Sequence, residues 1–190
     1  MSVLADQMSV KVRVYGRFAA PITIQPVRKA RYGFTKRWIL DAPPSMVFDV
    51  LKRVDDYPKW WPDFVSVNSA GPNSYDMVVK GFLPYKIKYR LMNNVIDRKN
   101  LVLEGVVDGD LEGWIRWDVN PRNPVGCDVL FKEEVSTKKW ILNTFSSVLR
   151  PIFRFNHKRV MNRGEYSIRA LLGGFTLAKS DPNAFDPTPS

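Results

Sequence analysis

The chain of 190 residues has one cysteine, Cys127, and one histidine, His157. A lone cysteine excludes an intramolecular disulfide framework and any zinc site built on several thiolates. A lone imidazole excludes a His-rich metal site and leaves few routes to acid–base chemistry. Neither a metal nor a cofactor is expected. No run of ~18 apolar residues occurs, so no transmembrane helix is expected. The start, MSVLADQ, lacks the basic and apolar regions of a secretory signal. The expected location is the cytoplasm, with peripheral contact to a membrane or organellar import as alternatives. Acidic residues are scarce at both ends. Residues 1–40 hold eight basic residues and Asp6 as the only acid, and residues 136–172 hold eight basic residues and Glu165 as the only acid. The middle, 41–135, has fifteen acids against twelve bases, so the net charge of +10 sits at the two ends. Such segregation fits either a solvated basic surface or attraction to anionic membranes, nucleic acid or acidic ligands.

Apolar residues are plentiful: 45% of the chain is hydrophobic and 13% aromatic, enough for a sizeable core. Three parts are expected: a basic N-terminal extension over 1–35, one domain over 36–174, and a mobile, Pro-rich tail over 175–190. Val10, Val12 and Val14 alternate with Lys11 and Arg13, a strand pattern inside the extension. KRWILD at 36–41 reads as the first strand of the domain. Pro43–Pro44–Ser45 then starts a helix whose buried face is Val47, Phe48, Val50, Leu51 and Val54. YPKWWP at 57–62 is bounded by prolines and cannot be a long helix.

From Asp63 to Thr137 the chain reads as successive antiparallel strands at about ten-residue intervals, with turns at GPNS, Asp108–Gly109, Asn120–Pro121 and Pro124–Val125–Gly126. YKIKYRLMNNVI shows the alternation best: Tyr85, Ile87, Tyr89 and Leu91 on one face, Lys86, Lys88 and Arg90 on the other. The last element, 138–172, is helical, with Ile152, Phe155 or Asn156, Val160 and Ile168 among its periodic positions, a kink at Pro151, and a stop at Gly173–Gly174. The class is α+β: a curved antiparallel sheet of six to seven strands with one long helix across its apolar face.

Such a helix seldom fills the concave space, so a cavity between sheet and helix is the natural small-molecule site. Tyr75, Met77, Tyr85, Ile87, Tyr89, Trp117 and Phe131 are assigned inward from the strands, and Phe145 and Leu149 from the helix. Trp61 and Phe64, in the aromatic segment after the first helix, are expected at the cavity as a gate or as a core plug. The alternative is that all these side chains simply pack against one another.

The segments RWILDAPPSMVFDVLKRVDDYPKWWPDF at 37–64 and RPIFRFNHKRVMNRGEYSIRALL at 150–172 resemble the START-like (SRPBCC) superfamily. They look like its opening strand, Ala-Pro helix start and Trp-bearing short helix, and like the closing helix of bacterial members with its Phe–Asn–His turn. VDDYPKWWPDF is also similar to the ubiquinone-binding branch, which carries a Val…Tyr-Pro…Pro segment. The resemblance covers about 36–172 and implies a helix-grip fold. That scaffold hosts transporters, chaperones, hormone receptors and cyclases, so it does not by itself choose a function.

Two side chains are weak catalytic candidates. Glu133 alternates with Phe131 and Val135, which would turn its carboxyl group into an apolar cavity; the rival is a strand-end position in solvent or paired with a helix lysine. His157 lies towards the flank of the helix if Ile152 and Phe155 face the sheet. Resemblance to aromatase/cyclases would ask for cavity phenols, here Tyr85 and Tyr89, together with a cavity arginine. Arg90 and Arg116 are out of phase with Tyr89 and Trp117, so that arginine is missing. The expected function is therefore binding, transport or chaperoning of a hydrophobic small molecule such as a lipid, isoprenoid quinone or polyketide. The alternative is a polyketide aromatase/cyclase or dehydratase using cavity Tyr, Glu and His. Contact with an anionic membrane fits the basic ends. Nucleic acid is not expected, because no RNP-type motif, zinc pattern or helix-turn-helix signal is present.

Overall fold

Alternating runs become strands, in chain order, over most of the length. The structure, a computed structural model, describes residues 31–123, 126–137 and 146–180, and of 146–150 and 174–180 the backbone alone. Strand β1 (Arg31–Leu40) leads into α1 (Pro44–Lys52), a 3₁₀ turn (Val54–Asp56) and the single-turn α2 (Tyr57–Trp60). Then come β2 (Phe64–Gly71), β3 (Ser74–Val79), β4 (Ile87–Asp97), β5 (Val102–Gly109), β6 (Leu111–Pro121) and β7 (Cys127–Thr137), and last α3 (Ser146–Ser180). The seven strands form one antiparallel sheet in the order β1-β7-β6-β5-β4-β3-β2. Strands β2 to β7 are a meander, and the first strand closes it beside the last.

The first strand and the last helix extend further than was read in the sequence. Strand β1 begins at Arg31, not Lys36, because Tyr32 and Phe34 continue the inward phase of Trp38 and Leu40 and pair with Val135 and Glu133 of β7. Helix α3 runs through Gly173–Gly174 to Ser180. Glycine permits a left-handed helix end but does not impose one, and Leu171 and Leu172 still pack inward there. Pro151 lies inside α3. It is close enough to the start that the helix forgoes few bonds. The alternating valines of 10–14, Phe145 and the tail after Ser180 lie outside the described residues.

The concave face carries the core. Leu103, Val107, Trp117, Val119, Val129 and Val135 point inward, and Arg116 and Asp118 point away. Arg116 bonds Glu104 at 3.0 Å and Asp118 at 2.8 Å on the outer face, and Arg90 holds Asp76 there too. Irregular register between Asn93 and Val95 of β4 and within β2 adds the local twist that lets a flat ladder curl around a helix.

Three polar ties fix α3 against this frame. Lys36, inward on β1, reaches Glu165 at 3.1 Å and Asn162 at 2.8 Å. Asp63, fully buried after α2, lies 3.2 Å from Arg163; burial pushes its carboxyl above the ordinary value, while Arg163 and then Arg159 oppose that rise. Trp61 donates its indole N–H to the Val160 carbonyl at 3.1 Å. Gly164 faces the Trp61 ring, where any Cβ would collide with the indole.

Cys127 is fully buried at the start of β7, and burial, with help from Asp128 and Asp41, pushes its thiol up to about 11. The thiolate is the reactive form. Iodoacetamide at pH 8 is therefore expected to leave the native protein unmodified and to add one label in denaturant, read as intact mass. Rapid labelling of the native protein would contradict the burial.

Candidate ligand-binding cavity

The sheet curls and α3 crosses it, but the two do not fill the space between them. A cavity of about 160 Å³ remains. Pockets that take drug-sized ligands hold roughly 300–1,000 Å³, so a large ligand would have to displace part of this lining. One end is closed. Leu51 of α1, Tyr57 of α2 and Trp61 meet Leu91, Leu103 and Trp117 of the sheet there. At the other end the lining is Tyr85, Asp110 and Leu111, all partly exposed. Helix α3 roofs the space with Phe153, Asn156, His157, Val160 and Met161.

Three polar side chains of the lining come from β4, β7 and α3. Glu133 occupies the concave face of β7 between its strand-paired neighbours Ile115 and Phe34. His157 comes down from α3 with Nε2 3.4 Å from Glu133 Oε2. Its imidazole stacks on Phe34, with ring centres 4.1 Å apart and planes 15° apart, and lies 5.9 Å from the ring of Phe131. Two phenyl rings thus hold an imidazole beside a carboxylate, both mostly screened from water. Tyr89 lines the same cavity. Burial, and then the charge of Glu133, keeps its phenol well above the ordinary value. Tyr89 is a hydrogen-bond donor throughout the physiological pH range. Among the described residues no arginine or lysine lines the cavity, and no group of His, Cys, Asp and Glu side chains is arranged to hold a metal ion.

No family model matches this sequence, and no curated protein matches it. Solved structures do. A START superfamily protein from Mycobacterium smegmatis aligns with a TM-score of 0.62 at 9% identity, over 75% of this chain and 98% of that one. The Zhui aromatase/cyclase from Streptomyces sp. R1128 aligns with a TM-score of 0.65 at 11% identity, over 82% of this chain and all of that one. A norcoclaurine synthase from Thalictrum flavum aligns with a TM-score of 0.56 at 12% identity, over 80% and 99%. The fold is the START-like helix-grip fold. At such low identity the likeness concerns the fold alone.

Within the helix-grip frame, Met77, Tyr85, Ile87, Tyr89, Trp117, Phe131, Trp61 and Phe64 all line the cavity. Tyr75 does not. It shares the inward face of Met77 but packs on the core near Asp55 and Tyr57, where the segment after α1 covers that end of the sheet. Phe145 and the side chain of Leu149 lie outside the described residues. The aromatic segment after α1 is a plug rather than a gate: Trp61 is 2% exposed and wedged at the closed end. Its neighbour Trp60 is half-buried against Tyr57.

The phase of the helix-grip's closing helix differs most from expectation. Ile152 and Phe155 face outward, and Asn156 and His157 face the sheet. Hydropathy ranks these four residues in the opposite order. What overrides it is that Asn156 Oδ1 accepts the Phe82 backbone N–H at 2.7 Å, while Gly81, where any Cβ would strike Asn156, lets the loop after β3 approach. A loop N–H turned towards the helix needs a partner, and an asparagine there supplies it. Sequence reading missed Tyr32 and Phe34 of β1, which it assigned to the extension. The continuing alternation from Tyr32 to Trp38 was the signal that could have found them.

Proposed function

We propose that this protein binds, and carries or chaperones, a hydrophobic small molecule with one polar end: a lipid, an isoprenoid quinone or a polyketide. The observation that supports this is a mainly apolar cavity that also carries the largely screened hydrogen-bonding groups Tyr89, Glu133 and His157. An apolar ligand body would lie against Trp117, Met77 and Phe131. Its polar end would accept from the Tyr89 hydroxyl or donate to Glu133. Burying on the order of 300 Å² of apolar ligand surface would contribute about 7 kcal/mol before the losses of association, which fits micromolar affinity.

Native mass spectrometry of protein purified from its own source tests this, with organic extraction of whatever co-purifies. The expected result is a discrete apolar ligand near one-to-one. An empty protein that also takes up no fluorescent lipid would count against a carrier.

A second reading, a polyketide cyclase or dehydratase, is favoured by the His157–Glu133 pair beside a phenol. A carboxylate 3.4 Å from an imidazole in a largely screened site can support proton transfer once a hydrogen bond forms between them. The absence of a lining arginine among the described residues weighs against it. Turnover of a polyketone that is lost in Glu133→Gln, while the variant still binds, would favour this reading over the first.

A further inference from the structure

Two phenylalanines that a globular protein would ordinarily bury stand in water beside the open end of the cavity. Phe82, in the loop between β3 and β4, is 62% exposed, and Phe155, on the outer face of α3, is 54% exposed. Their rings meet edge-on with centres 5.5 Å apart. They are not loose. The Phe82 N–H is fixed to Asn156 Oδ1, and Leu83, the next residue, is buried. Ile152, 38% exposed, lies a turn before Phe155. The result is a small, ordered apolar crest, of a kind that in soluble proteins marks a contact surface.

Charge surrounds the crest. The loop contributes Lys80 and Lys86, and α3 contributes Arg154, Lys158 and Arg159, all exposed. No acid occurs from residue 77 to 96 or from 138 to 164. The nearest acids are engaged: Asp110 accepts the Lys88 backbone N–H and Asp63 is buried on Arg163. Lys158 and Arg159 form no ion pair among the described residues. A groove beside Pro62 extends the same surface along α3 past Arg163 to Tyr166, which is 76% exposed.

We propose that this crest docks on an anionic lipid bilayer, with Phe82 and Phe155 entering the interfacial region and the surrounding lysines and arginines facing lipid phosphates. Apolar insertion and cation attraction to an anionic leaflet are the two forces that hold peripheral proteins on membranes, and the crest combines them within one loop and one helix face. The crest is tied to the cavity through Asn156, which both lines the cavity and anchors Phe82. The proposal rests on the carrier reading only in its purpose: docking would bring the open end to the source of an apolar ligand.

The test is co-sedimentation of the full chain with phosphatidylcholine vesicles and with vesicles containing 30% phosphatidylglycerol. Binding is expected to the anionic vesicles only and to fall at least tenfold in 0.5 M salt. The double variant Phe82→Ser, Phe155→Ser keeps every charge, including those of residues 1–30, and is expected to lose at least tenfold in partitioning at an unchanged unfolding midpoint. Wild-type partitioning in that variant would overturn the proposal, because charge elsewhere would then be sufficient. Tighter binding to a single-stranded oligonucleotide than to anionic vesicles would overturn it as well. Should the double variant fold poorly, Phe82→Trp decides: its added emission is expected to be quenched by lipids brominated on the acyl chain, and absence of quenching refutes insertion. Vesicle binding in a protein that carries no extractable ligand and takes up no fluorescent lipid would sink the carrier reading and leave the docking surface standing.

Discussion

Replacing Trp61 by alanine is expected to lower the unfolding midpoint by about 10–20 °C. Truncating a buried tryptophan costs roughly 3–5 kcal/mol, and in a domain of this size each kcal/mol moves the midpoint by about 2–4 °C. Trp61 justifies the upper part of that range. Its ring centre lies 4.9 Å from Phe64, 5.5 Å from Trp38 and 5.8 Å from Tyr57, so it joins the sheet to the helical segment after α1. It also carries the hydrogen bond to the Val160 carbonyl, which alanine would leave without its donor. Trp60→Ala is the control: that ring is half-buried at the edge and its loss should shift the midpoint by less than half as much. Gly164→Leu approaches the same junction from the helix and should also destabilise, because the side chain has no room beside the indole. Equal and small shifts at Trp60 and Trp61 would mean that Trp61 is a mobile gate after all. Thermal denaturation followed by circular dichroism is sufficient to decide.

Ile115→Trp is expected to abolish ligand uptake without destabilising the protein. Ile115 lines the cavity from β6, and its partner on β5, Gly105, is covered by Leu91 and Asn93, so a larger side chain at 115 has only the cavity to enter. An indole placed there would enter a cavity of only about 160 Å³. Glu133, the partner on β7, is placed to accept its N–H. Filling an existing void commonly raises stability by about 0.5–2 kcal/mol. Loss of uptake with an equal or higher midpoint, measured by fluorescent-lipid titration and thermal denaturation, would separate occupancy of the cavity from integrity of the fold. Undiminished uptake would place the ligand elsewhere.

The strands were legible because a half-buried strand has a period of two, and this chain keeps it. The inward phase of Met77, Ile87, Tyr89, Trp117 and Phe131, and the outward phase of Arg90 and Arg116, followed from alternation alone. The closing helix was read correctly as an element; Val160 and Ile168 face inward as expected, Phe155 or Asn156 was left open, and Ile152 was placed on the wrong side. A helical stripe is found by assuming that the most apolar residues face in. Here the first turns put Asn156 and His157 inside and leave Ile152 and Phe155 outside. The reason, a loop anchored on Asn156 and an imidazole stacked on Phe34, involves residues more than seventy positions away. Helical periodicity carries no such information. Tyr75 failed for a related reason. Its face was right, but which part of a face borders a void depends on where α2 and the 3₁₀ turn come to rest.

By itself the sequence determined the α+β class, the order of the elements, which side of each of those strands carries the core, and the absence of a cysteine framework or His-rich metal site. These follow from composition and from short-range periodicity, which are properties of neighbouring residues. The tertiary structure alone decided that packing does not fill the space under α3, that His157 comes within 3.4 Å of Glu133 there, and that Phe82 and Phe155 meet outside it. Each of these is a coincidence of residues brought together by the curl of the sheet and the seat of the helix. Side-chain volumes and long-range hydrogen bonds set both, and no local pattern records them.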